Sequence, residues 1–290
     1  MGLTLSIKYR GLLSGCNYDC HYCPFAKRVD DRDTLASDAA DLARFVDWAE
    51  GQSNDTLRIL FTPWGEALIR KPYQSALCRL SHMPQVSRVS IQTNLSCGLG
   101  WLGGLDTDTA SLWCTYHPEE VSAEKFLSQC AKLDDAGISY CVGTVGTKEA
   151  FKAIAELRRQ LPAHIYLWIN AYKDEGPDYY TASDIAFLKG IDPKFELNLV
   201  NYPSLGRTCH AGERAISIDG KGDVRRCHFI PDVIGNIYEG TLEDALRPRR
   251  CNREVCDCHI GYVNIPDLDL DSVFNGWALG RIMPLHYGPV

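Results

Sequence analysis

No run of this 290-residue chain is apolar for long enough to cross a bilayer, which excludes a membrane-spanning helix. The start, Met-Gly-Leu-Thr-Leu, lacks the basic region and long apolar stretch of a secretory signal, so a cytoplasmic protein is expected. Positive charge is also short. Thirty Lys and Arg stand against 37 Asp and Glu, a net charge of −7 that argues against a nucleic-acid backbone as the main partner. The local basic cluster of Arg247, Arg249 and Arg250 reads as a solvated loop. What the chain has in excess is cysteine. Thirteen of them, an odd total with no secretory signal, point to reduced thiols and metal ligation rather than a disulfide framework. Hydrophobic residues at 45% and charged residues at 23% otherwise describe a globular protein, long enough for one large core or one domain with an appendage.

Strand-like and helix-like segments alternate along the first two thirds. The pattern predicts strands over Leu3–Tyr9, Thr56–Phe61, Val86–Gln92, Ala110–Thr115, Ile138–Val145, His164–Asn170 and Phe195–Val200. Between them it predicts helices over Ser37–Glu50 (Ser37 as N-cap), Tyr73–His82, Ser122–Ala136 (Gly137 as its stop), Lys148–Gln160 and Ala182–Lys189. This alternation implies right-handed βαβ units and a parallel sheet: an α/β fold of about six units curving into a partial (β/α)6 TIM-like barrel. An open doubly wound sheet is the alternative. Functional groups are expected at the C-terminal strand ends. Near Pro203 the texture changes to a loop-rich tail carrying five cysteines, which suggests a core domain over 1–202 and a small metal-held domain over 203–290.

The strongest motif follows the first strand: Cys16-Asn17-Tyr18-Asp19-Cys20-His21-Tyr22-Cys23, a C-x3-C-x2-C spacing with an aromatic before the last cysteine. Three thiolates suit three irons of a [4Fe–4S] cube and leave the fourth open. Zinc is the competing reading, but structural zinc takes four ligands, often from paired C-x-x-C knuckles, and only one C-x-x-C stands here. In the tail, Cys209, Gly222 and Cys227, with Ile218–Val224 reading as a hairpin, precede Cys251, Cys256 and Cys258. These too suit either a cluster or zinc.

The cysteine triplet resembles the radical S-adenosylmethionine superfamily, and the resemblance extends past it. Pro63-Trp64-Gly65-Glu66 stands where that superfamily holds the methionine amine, with Glu66 as acceptor and Gly65 admitting close backbone approach. Trp64 and Ala67 depart from the usual residues. Thr93-Asn94 resembles a segment lining the same cofactor, as do Gly146 and Glu149 on the adenine side; Gly146–Glu149 also reads as a plain strand-to-helix turn. Tyr22, His117 and Asn170 are further cofactor candidates, although His117 before Pro118 also suits a structural hydrogen bond.

The tail resembles a shortened SPASM or twitch domain. It implies a second, auxiliary [4Fe–4S] cluster on Cys209, Cys227, Cys256 and Cys258, with Cys251 as substitute. The whole chain is similar to a compact bacterial radical S-adenosylmethionine subfamily. That likeness implies reductive cleavage of S-adenosylmethionine, an electron donor such as flavodoxin or ferredoxin, and hydrogen abstraction from a peptide or peptide-like substrate. A free small molecule is the alternative, and a zinc-stabilised interaction module is the third reading; no leader-peptide-binding domain is expected before the barrel, which weakens a ribosomal-peptide reading. Cys97 and Cys141, near strand ends, are candidates to return a hydrogen atom to the substrate. Tyr116, Tyr166, Trp168, Tyr172, Tyr179 and Tyr180 are expected to line the substrate pocket.

Overall fold

The structure is a computed structural model, and it describes residues 2–25, 28–274 and 276–282. Strand β1 (Thr4–Arg10) leads through the cysteine loop to helix α1 (Arg32–Glu50) and β2 (Thr56–Phe61). Then come α2 (Lys71–Ser81), β3 (Val86–Thr93), β4 (Ala110–Thr115), α3 (Ala123–Asp135) and β5 (Ser139–Val145). The alternation closes with α4 (Phe151–Gln160), β6 (Leu167–Asn170), α5 (Ala182–Ile191) and α6 (Phe195–Leu199). β1 to β6 lie parallel in chain order, which makes this an α/β fold around a central parallel sheet.

Two predicted elements change. Phe195–Val200 is the helix α6, not a strand. Its alternating apolar residues fit period two, but Phe195 and Asn198 bury themselves three residues apart on one helical face. Helix α1 starts five residues before Ser37, because Asp31 is the cap and its carboxylate accepts from the Thr34 N–H at 2.8 Å. The apolar stripe of α1 begins only at Leu42, so its polar first turns carry no period to read.

The tail carries short bridges β7 (Tyr202–Pro203) and β8 (Thr208–Cys209), then β9 (Ala215–Asp219), β10 (Asp223–Arg225) and β11 (Val233–Asn236). After them stand α7 (Leu242–Ala245), β12 (Arg249–Arg250), β13 (Val255–Cys256), α8 (His259–Tyr262) and α9 (Leu270–Val273). β9 and β10 form the predicted hairpin, with Gly222 at φ +83° in its turn. The ladder crosses the 202/203 boundary: β9 pairs in parallel with β1, from Ser6–Ala215 to Arg10–Asp219, and extends the sheet to nine strands.

A parallel sheet must be covered on both faces. Helices α1 to α4 cover one, burying Ile7, Tyr9, Phe45, Ile59, Leu77 and Phe126 among others. The tail covers the other, where Ile260, Tyr262, Phe274 and Trp277 pack on Leu60, Trp113, Cys141 and Trp168. Polar ties hold it there: the Trp277 indole donates to Ser90 Oγ at 2.9 Å, and Lys8 Nζ donates to Ile260 O at 2.6 Å. No helix among the described residues is long and apolar enough to cross a membrane.

Candidate active site and cysteine centres

The cysteine loop begins where β1 ends. Two aspartates that carry no recognisable motif brace it. Asp38 on α1 accepts from the Leu12 N–H at 2.7 Å, and Asp30 accepts from the Ser14 and Gly15 N–H groups at 3.1 and 2.9 Å. From the β2 end, Glu66 N–H donates to Gly15 O at 3.2 Å. Gly65 presses so closely on this loop that a Cβ there would lie 1.9 Å from Gly15 O. The need for glycine thus comes from the loop itself.

Cys16 and Cys23 are half-buried and Cys20 is buried. Burial pushes the Cys20 thiol up to about 11 and raises Cys16; Cys23 raises both further, and Cys16 adds to the rise of Cys20. Such thiols ionise readily only when a cation shares the site. Donors already point at the sulfurs: Tyr18 N–H at 3.4 Å and Asn94 Nδ2 at 3.8 Å from Cys16 Sγ. His117 reaches the same loop from beyond β4. Its Nδ1 lies 3.3 Å from Cys20 Sγ and 2.8 Å from the Tyr22 hydroxyl, and the two rings stack. Burial lowers His117 to about 4, so it is neutral at physiological pH.

Glu66 is the buried carboxylate of the site. It accepts from the Leu68 N–H and Thr93 Oγ1, each at 2.9 Å, and from the Asn94 N–H. Burial raises it to about 7 against those three bonds, so a cation placed beside it would favour its charged form. Asn94 therefore links the two halves of the site, with its backbone on Glu66 and its side chain on Cys16. The next residue, Leu95, is buried at φ +58°, a left-handed conformation unusual for leucine and typical of constrained functional turns.

Gly146 and Asn170 meet at the ends of β5 and β6, where Gly146 N–H donates to Asn170 O at 2.9 Å. The Tyr180 hydroxyl closes on Gly146 O at 2.7 Å, leaving little room for a Cβ at Gly146. Glu149 is exposed on the following turn. Cys97 is buried in the helix-side core and Cys141 in the tail-side core. Burial pushes these thiols up to about 11 and about 12, and Cys141 donates to Gly280 O at 3.6 Å. The six aromatics do not form one pocket. Tyr116 packs in the helix-side core, Tyr166 and Trp168 under the tail, and Tyr172, Tyr179 and Tyr180 together at the β6 end.

The tail gathers Cys209, Cys227, Cys251 and Cys256 around one small cavity, with Arg226 and Arg253 in its wall. Gly261 also lines it, and a Cβ there would lie 2.8 Å from Cys256 Sγ. Cys258 is not in the lining, whereas Cys251, the expected substitute, is. Cys251 arrives through the β8–β12 pairing and its own N–H on Arg207 O at 3.0 Å, contacts that no local spacing reveals. Sequence reasoning also missed Arg10, whose Nε donates to Thr62 O at 2.6 Å. Its guanidinium lies 4.0 Å over the Trp64 ring and bonds His228, the neighbour of Cys227. This side chain joins the two cysteine regions. Among the described residues no three His, Cys, Asp or Glu side chains gather tightly enough for a single metal ion, whereas a cluster distributes its thiolates over separate irons.

No family model matches the chain, and no curated protein matches it in sequence. Solved structures do match in fold. The anSMEcpe protein with bound AdoMet (S-adenosylmethionine) aligns at TM-score 0.56 and 15% identity, over 83% of this chain and 80% of that one. The same protein with AdoMet and the Cp18Cys peptide aligns at 0.54 and 17%, over 83% and 79%. SuiB of Streptococcus suis bound to its precursor peptide SuiA aligns at 0.56 and 16%, over 84% of this chain and 64% of SuiB. At such identities the likeness shows a shared fold, that of proteins solved with S-adenosylmethionine bound.

Proposed function

We propose that this chain is a radical S-adenosylmethionine enzyme with two iron–sulfur clusters, acting on a peptide. One observation carries the first part. On a fold shared with S-adenosylmethionine-bound proteins, Asn94 bonds both Cys16 of the cysteine loop and the buried Glu66. The residues fit the cofactors they would hold: Cys16, Cys20 and Cys23 a [4Fe–4S] cluster with one open iron, Glu66 and Thr93 the methionine ammonium. Bound there, cluster and S-adenosylmethionine would supply one-electron reductive cleavage of the sulfonium carbon–sulfur bond.

The chain's own residues position and shield. Glu66 offers a desolvated carboxylate to the ammonium, with Thr93 and the Asn94 and Leu68 N–H groups fixing its two oxygens. His117 and Tyr22 cover Cys20, and the Asp30 and Asp38 bonds hold the loop in place. Cys209, Cys227, Cys251 and Cys256 would hold the auxiliary cluster, closed by four thiolates and able to pass electrons. Thirteen cysteines with no disulfide among them suit a reducing, cytoplasmic setting and an external electron donor such as a flavodoxin or ferredoxin. The peptide complexes of the like-folded proteins support a peptide as substrate.

The test is anaerobic reconstitution followed by dithionite and S-adenosylmethionine. Wild type is expected to release 5′-deoxyadenosine and the Cys16→Ala variant none. Wild type with its clusters intact and no 5′-deoxyadenosine would refute the proposal.

A further inference from the structure

Three arginines line the four-cysteine cavity, and among the described residues no carboxylate does. Arg207 and Arg253 are already engaged. Arg207 Nη2 pairs with Asp267 at 2.7 Å, and Arg253 donates to Val255 O and Phe229 O, each at 3.2 Å, with its guanidinium over the Phe229 ring. Arg226 differs from both. It is 6% exposed, it forms no ion pair among the described residues, and its Nε has no hydrogen-bond partner there.

The fold fixes this side chain at the cavity wall. Arg226 directly follows β10 and precedes Cys227. Its Nη1 donates to Arg250 O at 2.5 Å and its Nη2 to Arg249 O at 3.2 Å, both on β12, the segment that leads into Cys251. Gly212, at φ +91°, lets the arginine pass, since a Cβ there would lie 2.8 Å from Arg226 Cβ. Backbone carbonyls thus hold the two Nη atoms, and Nε is the guanidinium nitrogen left without an acceptor. A buried N–H without an acceptor is costly, and a buried cation without a counter-charge is costlier still. One remedy meets both deficits: an anionic group in the cavity that carries acceptor atoms. Four thiolates on an iron–sulfur core make such a group.

We propose that Arg226 is the positioning residue of the tail centre: its Nε donates to a sulfur of the cluster held by Cys209, Cys227, Cys251 and Cys256, and its charge raises that cluster's reduction potential. The role rests on the two-cluster reading. A reduced cluster is the more negative one, so a nearby cation and an N–H donor to sulfur both favour it and push the potential upward. Arg207, in the same wall, contributes little because Asp267 already offsets its charge.

The test is a redox titration of the reconstituted full chain, followed by electron paramagnetic resonance. The tail centre is read from the reduced-cluster signal that S-adenosylmethionine leaves unchanged. Arg226→Gln should move its reduction equilibrium about tenfold toward the oxidised form, a potential lower by about 59 mV. Arg226→Lys, which keeps the charge and loses the Nε donor, should move it about threefold, and Arg207→Gln about twofold or less. Iron analysis of each variant separates tuning from loss of the cluster, and Arg226→Lys keeps the test valid if Arg226→Gln fails to retain iron. An unchanged potential in Arg226→Lys or Arg226→Gln, the result expected if a water satisfies Nε, would overturn the assignment and leave the two clusters standing. So would an equal shift in Arg207→Gln. A wild-type chain with zinc and no second reduced-cluster signal would refute the two-cluster reading, and this role with it.

Discussion

The two cysteine centres are built on opposite plans. The N-terminal one draws three thiols from eight consecutive residues, hangs them on a loop at a strand end, and sets a buried carboxylate beside them. The tail centre draws four thiols from separate segments, Cys209 to Cys256, and wraps them around a cavity with arginines in its wall. On the proposed function, an incomplete ligand set beside a buried carboxylate suits binding and cleaving a cofactor. A complete one in a closed cavity suits storing or passing an electron. Arg10, bonded to Thr62 at one end and His228 at the other, spans the interval between them.

The widest separation between the centres should appear on removing one thiol from each. Cys20→Ala is expected to lower 5′-deoxyadenosine formation to background, a loss of about a thousandfold or more, because no other residue of that loop can replace the ligand. Cys227→Ala should cost about tenfold or less in the same assay, since it leaves the Glu66 site untouched. Equal losses would dissolve the distinction.

The ligand set of the closed centre is sharpened by iron analysis. Cys251→Ala should lose about half of the bound iron and Cys258→Ala almost none. The opposite result would restore Cys258 as a ligand.

Next in size is the carboxylate. Glu66→Gln should weaken S-adenosylmethionine binding by about 1.5–3 kcal/mol, measured by equilibrium dialysis. The pH dependence follows from the upward shift of Glu66 to about 7. Below that value the carboxyl is protonated and gives the ammonium no charge, so affinity should fall about tenfold for each unit of pH decrease below about 7. For folding the sign is the reverse. The cofactor-free native state holds the proton where the unfolded chain has lost it, so stability should decline as pH rises from about 4.5 to about 7 and level off above. The smallest effect belongs to Cys141→Ala. Buried under the tail, its thiol is expected to contribute about 1–2 kcal/mol of stability and no change in 5′-deoxyadenosine yield.

Much of this was legible in the sequence. All six parallel strands, the C-x3-C-x2-C loop and the β9–β10 hairpin follow from local period and spacing, because local sequence determines them, whereas Glu66 is singled out only by the family resemblance. What stayed hidden is non-local. That Cys251 and not Cys258 lines the tail cavity depends on the β8–β12 bridge between segments about forty residues apart. The tail reads as a separate unit because nothing in Ala215–Asp219 announces that its partner is β1. Phe195–Val200 misleads for a different reason, since six residues of alternating polarity suit a strand edge or a short helix and only packing decides. The brace of Asp30 and Asp38 is invisible because an aspartate in a loop or on a helix face ordinarily meets solvent.

The contrast between the centres is tested most directly by the low-temperature electron paramagnetic resonance spectrum of the dithionite-reduced protein, recorded with and without S-adenosylmethionine. The open and closed plans predict two reduced-cluster signals, of which one shifts on adding the cofactor and vanishes in Cys16→Ala, while the other is indifferent to both. A single signal, or two signals that both respond to S-adenosylmethionine, would contradict the account.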